Sequence, residues 1–164
     1  MTLHELLALF TSKNIEYTTA HLDTVNQNAQ LTDVASDSRE VTPGSLFVCK
    51  GAHFSPAYLA SAVEAGAVAY LCQQSLAEEL QAVAPNVAAI RVDDVRLAMA
   101  YAAAGVAGHP DKKLTTIGIT GTKGKSTCSY MLRAILDGDE PYSKCGVIGG
   151  IEVFDGKDTQ PAHN

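Results

Sequence analysis

Hydrophobic side chains in the first two thirds of the chain occur in short continuous runs and at helical spacings. Three short apolar runs predict buried strands, at residues 45–49, 67–72 and 87–92. Three segments with apolar side chains at helical spacing predict helices, at residues 55–66, 75–84 and 93–108. With a further short strand at residues 32–36, the alternation over residues 31–109 predicts an α/β fold with helical crossovers.

Local signals mark where several of these elements begin or end. Thr2 and Glu5 form a capping box for a first helix, whose apolar face carries Leu3, Leu6, Leu7 and Phe10. Ser55 followed by Pro56 predicts a helix start, and Ser75 is predicted to cap the next helix. Pro43 and Gly44 predict a turn, and Gly66 and Gly108 lie near helix ends. The polar residues 14–30 predict a loop.

A second pattern of strand, loop and helix follows the polar junction at residues 109–113. The segment 114–120, LTTIGIT, predicts a buried strand, and a helix is predicted over residues 126–137. A further strand at 144–150 and part of a hairpin at 151–156 follow. We therefore expect domains at residues 1–110 and 111–164. One strand–helix unit with one more strand cannot cover both faces of a parallel sheet, so we expect the second domain to be incomplete.

Composition excludes several classes of protein. The chain has 164 residues and a formal net charge of −6, which argues against non-specific binding of nucleic acid. Its first residues, MTLHELLALF, have no basic region, and no apolar run is long enough to cross a membrane. The four cysteines show neither C-x-x-C nor metal-ligand spacing, which indicates free thiols in a reducing compartment. We expect a cytoplasmic protein without a membrane segment.

The segment GITGTKGKST at residues 118–127 has the character of a phosphate-binding loop. The common spacing G-x-x-x-x-G-K-[ST] requires a glycine at position 119, where this chain has Ile119. Nevertheless, Gly121 and Gly124 allow the backbone to approach phosphate oxygens, and Lys125 can reach the β- and γ-phosphates of a nucleotide. The hydroxyl of Ser126 can serve as a Mg²⁺ ligand.

The shifted glycine is itself informative, because the loop resembles the T-G-T-x-G-K-[TS]-[TS] loop of the Mur ligases. These are the ATP-dependent amide-forming enzymes of peptidoglycan synthesis, in a superfamily that includes folylpolyglutamate synthetase. The segment SDSREVTPGSLFV at residues 36–48 is similar to a second motif, found in the first domain of Mur ligase E. Both motifs occur in the family's order, and the resemblance covers residues 31–164.

The resemblance implies roles for individual residues. It implies that Ser36, Ser38 and Arg39 bind the UDP part of the substrate, although Asp37 and Arg39 could instead form a local salt bridge that shapes the turn. Residues 51–54 match a second stretch near the nucleotide, but the family's following Asp-Gly is Ser55-Pro56 here. Asn164 matches an asparagine that helps to bind the muramoyl substrate.

In the same way, the resemblance assigns ATP to the glycine-rich loop and Mg²⁺ to Ser126. The residues that would hold ATP are Gly121, Thr122, Lys123, Gly124, Lys125, Ser126 and Thr127. Lys125 would be the catalytic cation, whereas Lys123 is either a second cation beside the nucleotide or a solvated surface lysine. The implied domains are a UDP-muramoyl-substrate domain at 1–110 and the beginning of the ATP-binding domain at 111–164.

The implied reaction joins a diamino acid to UDP-N-acetylmuramoyl-L-alanyl-D-glutamate through an acyl phosphate. The amine is L-lysine or meso-diaminopimelate, and residues 49–54 and the loop at Lys123 resemble the lysine-adding members slightly more. The resemblance places the acidic metal ligands, the modified lysine and the amino-acid domain beyond residue 164. We therefore expect the 164 residues alone to be inactive, and the parent enzyme to be a monomer.

Three alternatives remain at this point. Mur ligase F is a second member of the same family, although its loop usually carries serine where this chain has Thr122. A non-catalytic nucleotide-binding module would keep the loop and lose the UDP-sugar site. A P-loop GTPase or kinase is disfavoured, because those proteins place the first glycine one residue after Gly118 and have no motif like Asp37-Ser38-Arg39.

Overall fold

A computed structural model describes residues 1–22, 27–138 and 143–162 of the chain. The chain divides into two compact units, Met1–Leu114 and Thr115–Asn164, which are described separately below. The predicted boundary at residue 110 lies at a short 3₁₀ turn, Pro110–Lys112, near the end of the first unit. The assignment of substrate and ATP domains to these units stays a prediction.

The first unit contains a five-stranded mixed sheet among its described residues. Its strands are β1 (Tyr17–Ala20), β2 (Asp33–Ala35), β3 (Ser45–Cys49), β4 (Ala69–Gln73) and β5 (Ala88–Val92). In space they follow the order β1-β5-β4-β3-β2. Strands β2 to β5 are parallel to their neighbours, whereas β1 pairs with β5 in the antiparallel direction. The predicted α/β class is confirmed.

Helices cover both faces of this sheet. They are α1 (Leu3–Ser12), α2 (Pro56–Glu64), α3 (Ala77–Val83) and α4 (Val95–Val106). Helices α1 and α4 share one hydrophobic core with the sheet, and α2 and α3 share a second core on the opposite face. The unit is therefore a three-layer sandwich.

The two cores are built from alternate residues of the same strands. In β3, Leu46 and Val48 belong to the core under α1 and α4, whereas Phe47 and Cys49 belong to the core under α2 and α3. All five residues of β3 are buried. Because successive side chains point to opposite faces of a sheet, a strand covered on both sides carries a continuous apolar run. This explains why the run at residues 45–49 predicted its strand correctly.

Several local predictions are confirmed. The Thr2 hydroxyl accepts a hydrogen bond from the backbone N–H of Glu5, and the Glu5 carboxylate accepts one from the backbone N–H of Thr2. The four predicted apolar residues of α1 are all buried. The turn at Pro43 and Gly44 is present, and Gly44 has a left-handed φ of +93° that favours glycine.

Two local predictions in the first unit are wrong. Strand β1 lies inside the segment 14–30, which its polarity predicted to be a loop. Its four residues pair with the edge of β5, and Tyr17 packs edge-to-face on Phe10 with ring centroids 6.2 Å apart. Ser75 does not cap α3, because it lies within a short 3₁₀ turn, Gln74–Leu76, that precedes the helix. Residues 23–26 of the predicted loop lie outside the described residues.

The second unit contains a helix and a small antiparallel sheet among its described residues. They are α5 (Lys125–Asp137), β6 (Val147–Ile148), β7 (Glu152–Phe154) and β8 (Thr159–Pro161). The strands lie in the order β6-β7-β8. The predicted helix and hairpin are thus present, and the hairpin has β8 as an additional strand.

The predicted buried strand at 114–120 is not present. This segment has no regular structure, and the side chains of Leu114 and Ile117 are 67% and 54% exposed. A strand requires a neighbouring strand to accept and donate its backbone hydrogen bonds. In the described part of the chain no strand pairs with this segment, so its apolar pattern alone does not produce a strand.

The four cysteines are free thiols in different environments. Cys49 and Cys72 are buried opposite each other on β3 and β4, Cys145 is half-buried, and Cys128 is exposed. Burial raises the pKa of Cys49, and it raises the pKa of Cys72 to about 11. Among the residues that the structure describes, no helix is both long and apolar enough to cross a membrane.

The packing of α2 against the sheet gives a test of the second core. Leu59 is fully buried in α2, so we expect Leu59→Ala to lower the free energy of unfolding by about 2–5 kcal/mol through the cavity that it leaves. Leu97→Ala is the matched control, because Leu97 is 47% exposed on α4. Urea denaturation followed by circular dichroism would measure both. Equal midpoints for the two variants would contradict the assignment of Leu59 to the core.

Candidate functional site

The two segments that the resemblance assigns to the UDP substrate follow adjacent parallel strands. Ser36 comes directly after β2, and Lys50 comes directly after β3. Because β2 and β3 are parallel neighbours, residues 36–39 and 50–54 leave the sheet at the same edge. The crevice outside the carboxyl ends of parallel strands is where open α/β sheets commonly bind ligands. The topology therefore supports one site built from both segments.

A tight turn after β2 holds Arg39. The Asp37 carboxylate accepts a hydrogen bond from the backbone N–H of Arg39 at 3.0 Å and another from its Nε at 2.9 Å. The side-chain hydrogen bond to Asp37, and then the charge of Asp37, raise the pKa of Arg39. The local salt bridge is therefore present, and it leaves the Arg39 side chain 87% exposed. Ser36 is exposed and Ser38 is half-buried.

The glycine-rich loop leads directly into α5. Gly124 is the residue before the helix and has a left-handed φ of +78°, which side chains with a Cβ rarely adopt. A Cβ there would meet no neighbouring atom, so the requirement for glycine is conformational rather than steric. The Lys125 ammonium donates a hydrogen bond to the carbonyl oxygen of Gly121 at 2.7 Å. The loop thus closes on itself through a lysine and a backbone oxygen.

The start of α5 offers hydrogen-bond donors. The first N–H groups of a helix have no acceptor within the helix, and the helix dipole places partial positive charge there. At this end of α5, the Cys128 N–H bonds the Gly124 carbonyl at 2.9 Å, which leaves the preceding N–H groups outside the helical ladder. Ser126 is half-buried, and Thr122, Lys123 and Thr127 are exposed. The predicted residues 121–127 therefore form one continuous stretch, the loop at 121–124 and the first turn of α5.

Helix α5 is anchored at its other end by Asp137. Its carboxylate accepts hydrogen bonds from the Ser143 hydroxyl at 2.6 Å, the Lys144 N–H at 2.8 Å and the Arg133 Nε at 3.3 Å. These hydrogen bonds, with that of Ser143 the largest contribution, lower the pKa of Asp137 to about 2. The Arg133 guanidinium also lies over the Phe154 ring, 3.5 Å from its centroid. Together these contacts fix the helix to residues 143–145 and to β7.

The metal-binding prediction rests on one side chain. No group of three or more histidine, cysteine, aspartate or glutamate side chains that could hold a metal ion occurs within residues 1–22, 27–138 and 143–162. The Ser126 hydroxyl fits a Mg²⁺ that arrives with nucleotide phosphates, because that ion commonly takes few protein ligands. Asn164, the predicted muramoyl-binding residue, lies outside the described residues.

The sequence predictions missed an aromatic pair at the same sheet edge as Arg39. Phe54 and Tyr58 flank the start of α2, with ring centroids 6.4 Å apart and ring planes at 73°. The available signal was an aromatic residue directly before the predicted N-cap, Ser55, because an apolar residue at that position commonly packs on the start of the helix. The sequence alone did not show that this pair follows β3 at the same sheet edge as Arg39, because that depends on the parallel pairing of β2 and β3.

Comparison with known proteins finds relatives that are named as synthetases or ligases, although no family model matches the chain. The chain is 40% identical over 127 residues to UDP-N-acetylmuramyl-tripeptide synthetase of Latilactobacillus sakei, covering 77% of this chain and 23% of that protein. It is 45% identical over 105 residues to the enzyme of the same name from Limosilactobacillus reuteri, covering 64% and 19%.

A third relative has a different name. It is the UDP-N-acetylmuramoyl-L-alanyl-D-glutamate–2,6-diaminopimelate ligase of Clostridioides difficile, 36% identical over 132 residues, with 79% of this chain and 26% of that protein covered. The chain spans about a fifth to a quarter of the length of these curated relatives.

These identities place the matched residues in the Mur ligase family. More particularly, the chain resembles Mur ligase E, the type to which the names of these relatives belong, so the family predicted from the two motifs is confirmed.

The anchor at Asp137 gives a pH-dependent test. Because the pKa of Asp137 is lowered from 3.8 to about 2, its carboxylate stabilises the folded unit fully above the unfolded value. That stabilisation is lost as the pH falls towards 2. We expect the amide NMR signals of Lys144 and Cys145 to shift with a midpoint well below 3.8 as the carboxylate protonates.

Asp137→Asn is the control for this titration, because it keeps an acceptor oxygen and removes the ionisable group. In this variant the two amide signals should not titrate between about pH 5 and 2. A midpoint in the unmodified chain at the ordinary value for an aspartate would contradict the anchor.

Proposed function

We propose that these residues serve a Mur ligase of type E, which adds a diamino acid to UDP-N-acetylmuramoyl-L-alanyl-D-glutamate with hydrolysis of ATP. The first unit would bind the UDP end of the substrate, and the loop at 121–127 would bind the ATP phosphates. The observation that carries this proposal is the 36–45% identity to enzymes named for that substrate or its product.

Two structural features support the proposal. Residues 36–39 and 50–54 leave the sheet at one edge, where a nucleotide-sugar could contact both. The loop before α5 combines a left-handed glycine, a lysine and the free N–H groups of a helix start, which together suit a phosphate chain.

In the proposed reaction, the D-glutamate carboxylate attacks the γ-phosphorus of ATP. The bond to the bridging oxygen breaks, and ADP leaves as an acyl phosphate forms. The amine of the diamino acid then attacks the acyl carbon, inorganic phosphate leaves, and the nitrogen loses a proton. Because phosphoryl transfer needs little covalent help from a protein, the enzyme contributes mainly positioning and neutralisation of charge.

Lys125 is proposed to supply one of those charges. In the structure its ammonium bonds the Gly121 carbonyl at 2.7 Å, so a nucleotide would exchange that neutral acceptor for charged phosphate oxygens. Hydrogen bonds to charged acceptors are about twice as strong as those between neutral groups, which favours the exchange. Mg²⁺ bound with the nucleotide and held by the Ser126 hydroxyl would neutralise further phosphate charge.

Binding of the UDP substrate tests the role of the first unit. We expect the chain to bind UDP-N-acetylmuramoyl-L-alanyl-D-glutamate, and Ser38→Ala to weaken that binding by roughly fivefold through the loss of one hydrogen bond. Titration calorimetry would measure both dissociation constants. Lys125→Ala is the control and should bind this substrate as the unmodified chain does. Absence of binding by the unmodified chain would refute the substrate assignment.

A separate prediction concerns ATP. In the ligase to which these residues contribute, Lys125→Ala should lower ATP turnover at least 100-fold, because it removes a charge from the transferred phosphoryl group. The measurement is phosphate release under saturating UDP substrate. Lys123→Ala provides the comparison, since it removes an equal charge two residues before the helix begins. Near-normal turnover in Lys125→Ala would show that the loop does not hold the γ-phosphate.

A further inference from the structure

A cavity lies beside the edge strand β1, where the parallel strands β4 and β5 end. It has a volume of about 760 Å³, and its lining includes Gln74, which directly follows β4, and Asp93, which directly follows β5. The carboxyl ends of parallel strands are a common place for ligands in open α/β sheets. None of the residues 36–39 and 50–54, which are proposed to bind the UDP substrate, lines this cavity.

Arg91 of β5 lines the cavity and carries a charge that its neighbours do not neutralise. Its register partners on the two adjacent strands are Thr18 of β1 and Cys72 of β4. Its guanidinium donates a hydrogen bond to the side-chain oxygen of Gln81 on α3. All three neighbours are neutral, because burial raises the pKa of Cys72 to about 11. In the part of the chain that the structure describes, no carboxylate lies within 4.0 Å of this guanidinium.

The state of the Arg91 side chain is unusual for a folded protein. The side chain is half-buried, and its Nε atom is buried without a hydrogen-bond partner. Buried polar groups are nearly always hydrogen-bonded, and buried charges are normally paired, because removing an ion from water is costly. A carboxylate that enters the cavity would supply the missing negative charge, since a guanidinium can bind it through two parallel hydrogen bonds.

Two carboxylates line the same cavity. Tyr17 of β1 pairs with Val92 of β5, so the residues one position beyond this pair, Glu16 and Asp93, lie at the same end of the two strands. Both side chains are exposed, and neither forms an ion pair with another described residue. Like charges opposite each other on paired strands repel, so a cation placed beside them is favoured. An ammonium group of a ligand meets this requirement.

We propose that this cavity binds a free α-amino acid, with its carboxylate on Arg91 and its ammonium towards Glu16 and Asp93. A zwitterion suits these charges better than a simple anion, because the two carboxylates of the cavity would repel an anion. Ile15 and Val92 also line the cavity and offer apolar surface to the ligand side chain. This site is additional to the proposed function and does not depend on it.

The test is an NMR titration of the isotope-labelled 164-residue chain with alanine, leucine, glutamate and lysine, each to about 10 mM. We expect at least one of them to give saturable shifts of the amide signals of Thr18, Gln74 and Arg91, while the signals of residues 121–124 stay unchanged. The N-acetyl derivative of that amino acid lacks the ammonium, and its amide lacks the carboxylate. Each should bind at least tenfold more weakly than the free amino acid. Absence of saturable shifts with all four amino acids would overturn the proposal.

Arg91→Met tests the carboxylate end of the site. It removes the charge and keeps a long side chain, so we expect it to weaken amino-acid binding at least tenfold. Its urea midpoint of unfolding should equal or exceed that of the parent, because the variant also removes an unpaired, half-buried charge. Binding equal to the parent's would overturn the role of Arg91. A lower urea midpoint would also do so, since it would show that Arg91 serves to hold Gln81.

Glu16→Gln tests the ammonium end and leaves Arg91 in place, so it decides the matter even where Arg91→Met does not fold. We expect it to weaken binding of the free amino acid about threefold and to leave binding of the N-acetyl derivative unchanged. Glu64→Gln is the control, because it removes an equal exposed charge at the end of α2, away from the cavity, and should bind as the parent does. Equal affinities for Glu16→Gln and Glu64→Gln would contradict the placement of the ammonium.

A competition experiment distinguishes this site from the proposed substrate site. UDP-N-acetylmuramoyl-L-alanyl-D-glutamate should bind equally well with and without a saturating amount of the amino acid. If that substrate displaces the amino acid, the cavity belongs to the substrate site and the inference of a separate site is overturned, while the proposed function stands. If the amino acid binds and the UDP substrate does not, the proposed function fails and the amino-acid site stands.

Discussion

Burial of the central strands on both faces is the constraint on which the rest of the first unit depends. Strands β3 and β4 contribute alternate residues to two separate cores, so neither strand has a face available to water. Each core requires helices above it, and the parallel direction of the strands requires those helices as crossovers. The carboxyl ends of β2 and β3 are consequently brought together at one edge. The candidate substrate site results from this layered arrangement, because its residues lie in the connections that follow β2 and β3.

The glycine-rich loop depends on a different and more local set of interactions. A left-handed backbone at Gly124 starts α5, and the lysine that follows bonds a carbonyl of the same loop. At the far end, Asp137 gathers the donors of Ser143, Lys144 and Cys145. Helix α5 is held by polar contacts at both ends, whereas no residue along it is buried. Its fold is thus specified by hydrogen bonds more than by an apolar core.

The sequence predicted most accurately those features that local patterns encode. Two examples are the capping box at Thr2 and Glu5 and the buried strand at 45–49, since each is determined by residues only a few positions apart. Strand β1 could not be predicted in this way, because its polar residues are ordered by pairing with β5, more than sixty residues later. The strand predicted at 114–120 is absent for the opposite reason. Its residues are apolar, but an apolar run forms a strand only when a neighbouring strand pairs with it. At the site, the Asp37–Arg39 contact was predictable from the spacing of the two residues. The position of Tyr58 at the same sheet edge was not, because it depends on the pairing of β2 with β3.

The distribution of the four thiols has a consequence for the chemistry of labelling. Thiol reagents attack the thiolate, and burial keeps Cys49 and Cys72 protonated at neutral pH. The Cys145 pKa is also raised, by partial burial and by hydrogen bonding with Asp137. Cys128 is the exposed thiol, in the first turn of α5. A maleimide dye would therefore attach there preferentially, and the native chain carries its own attachment point for a fluorescent reporter beside the glycine-rich loop.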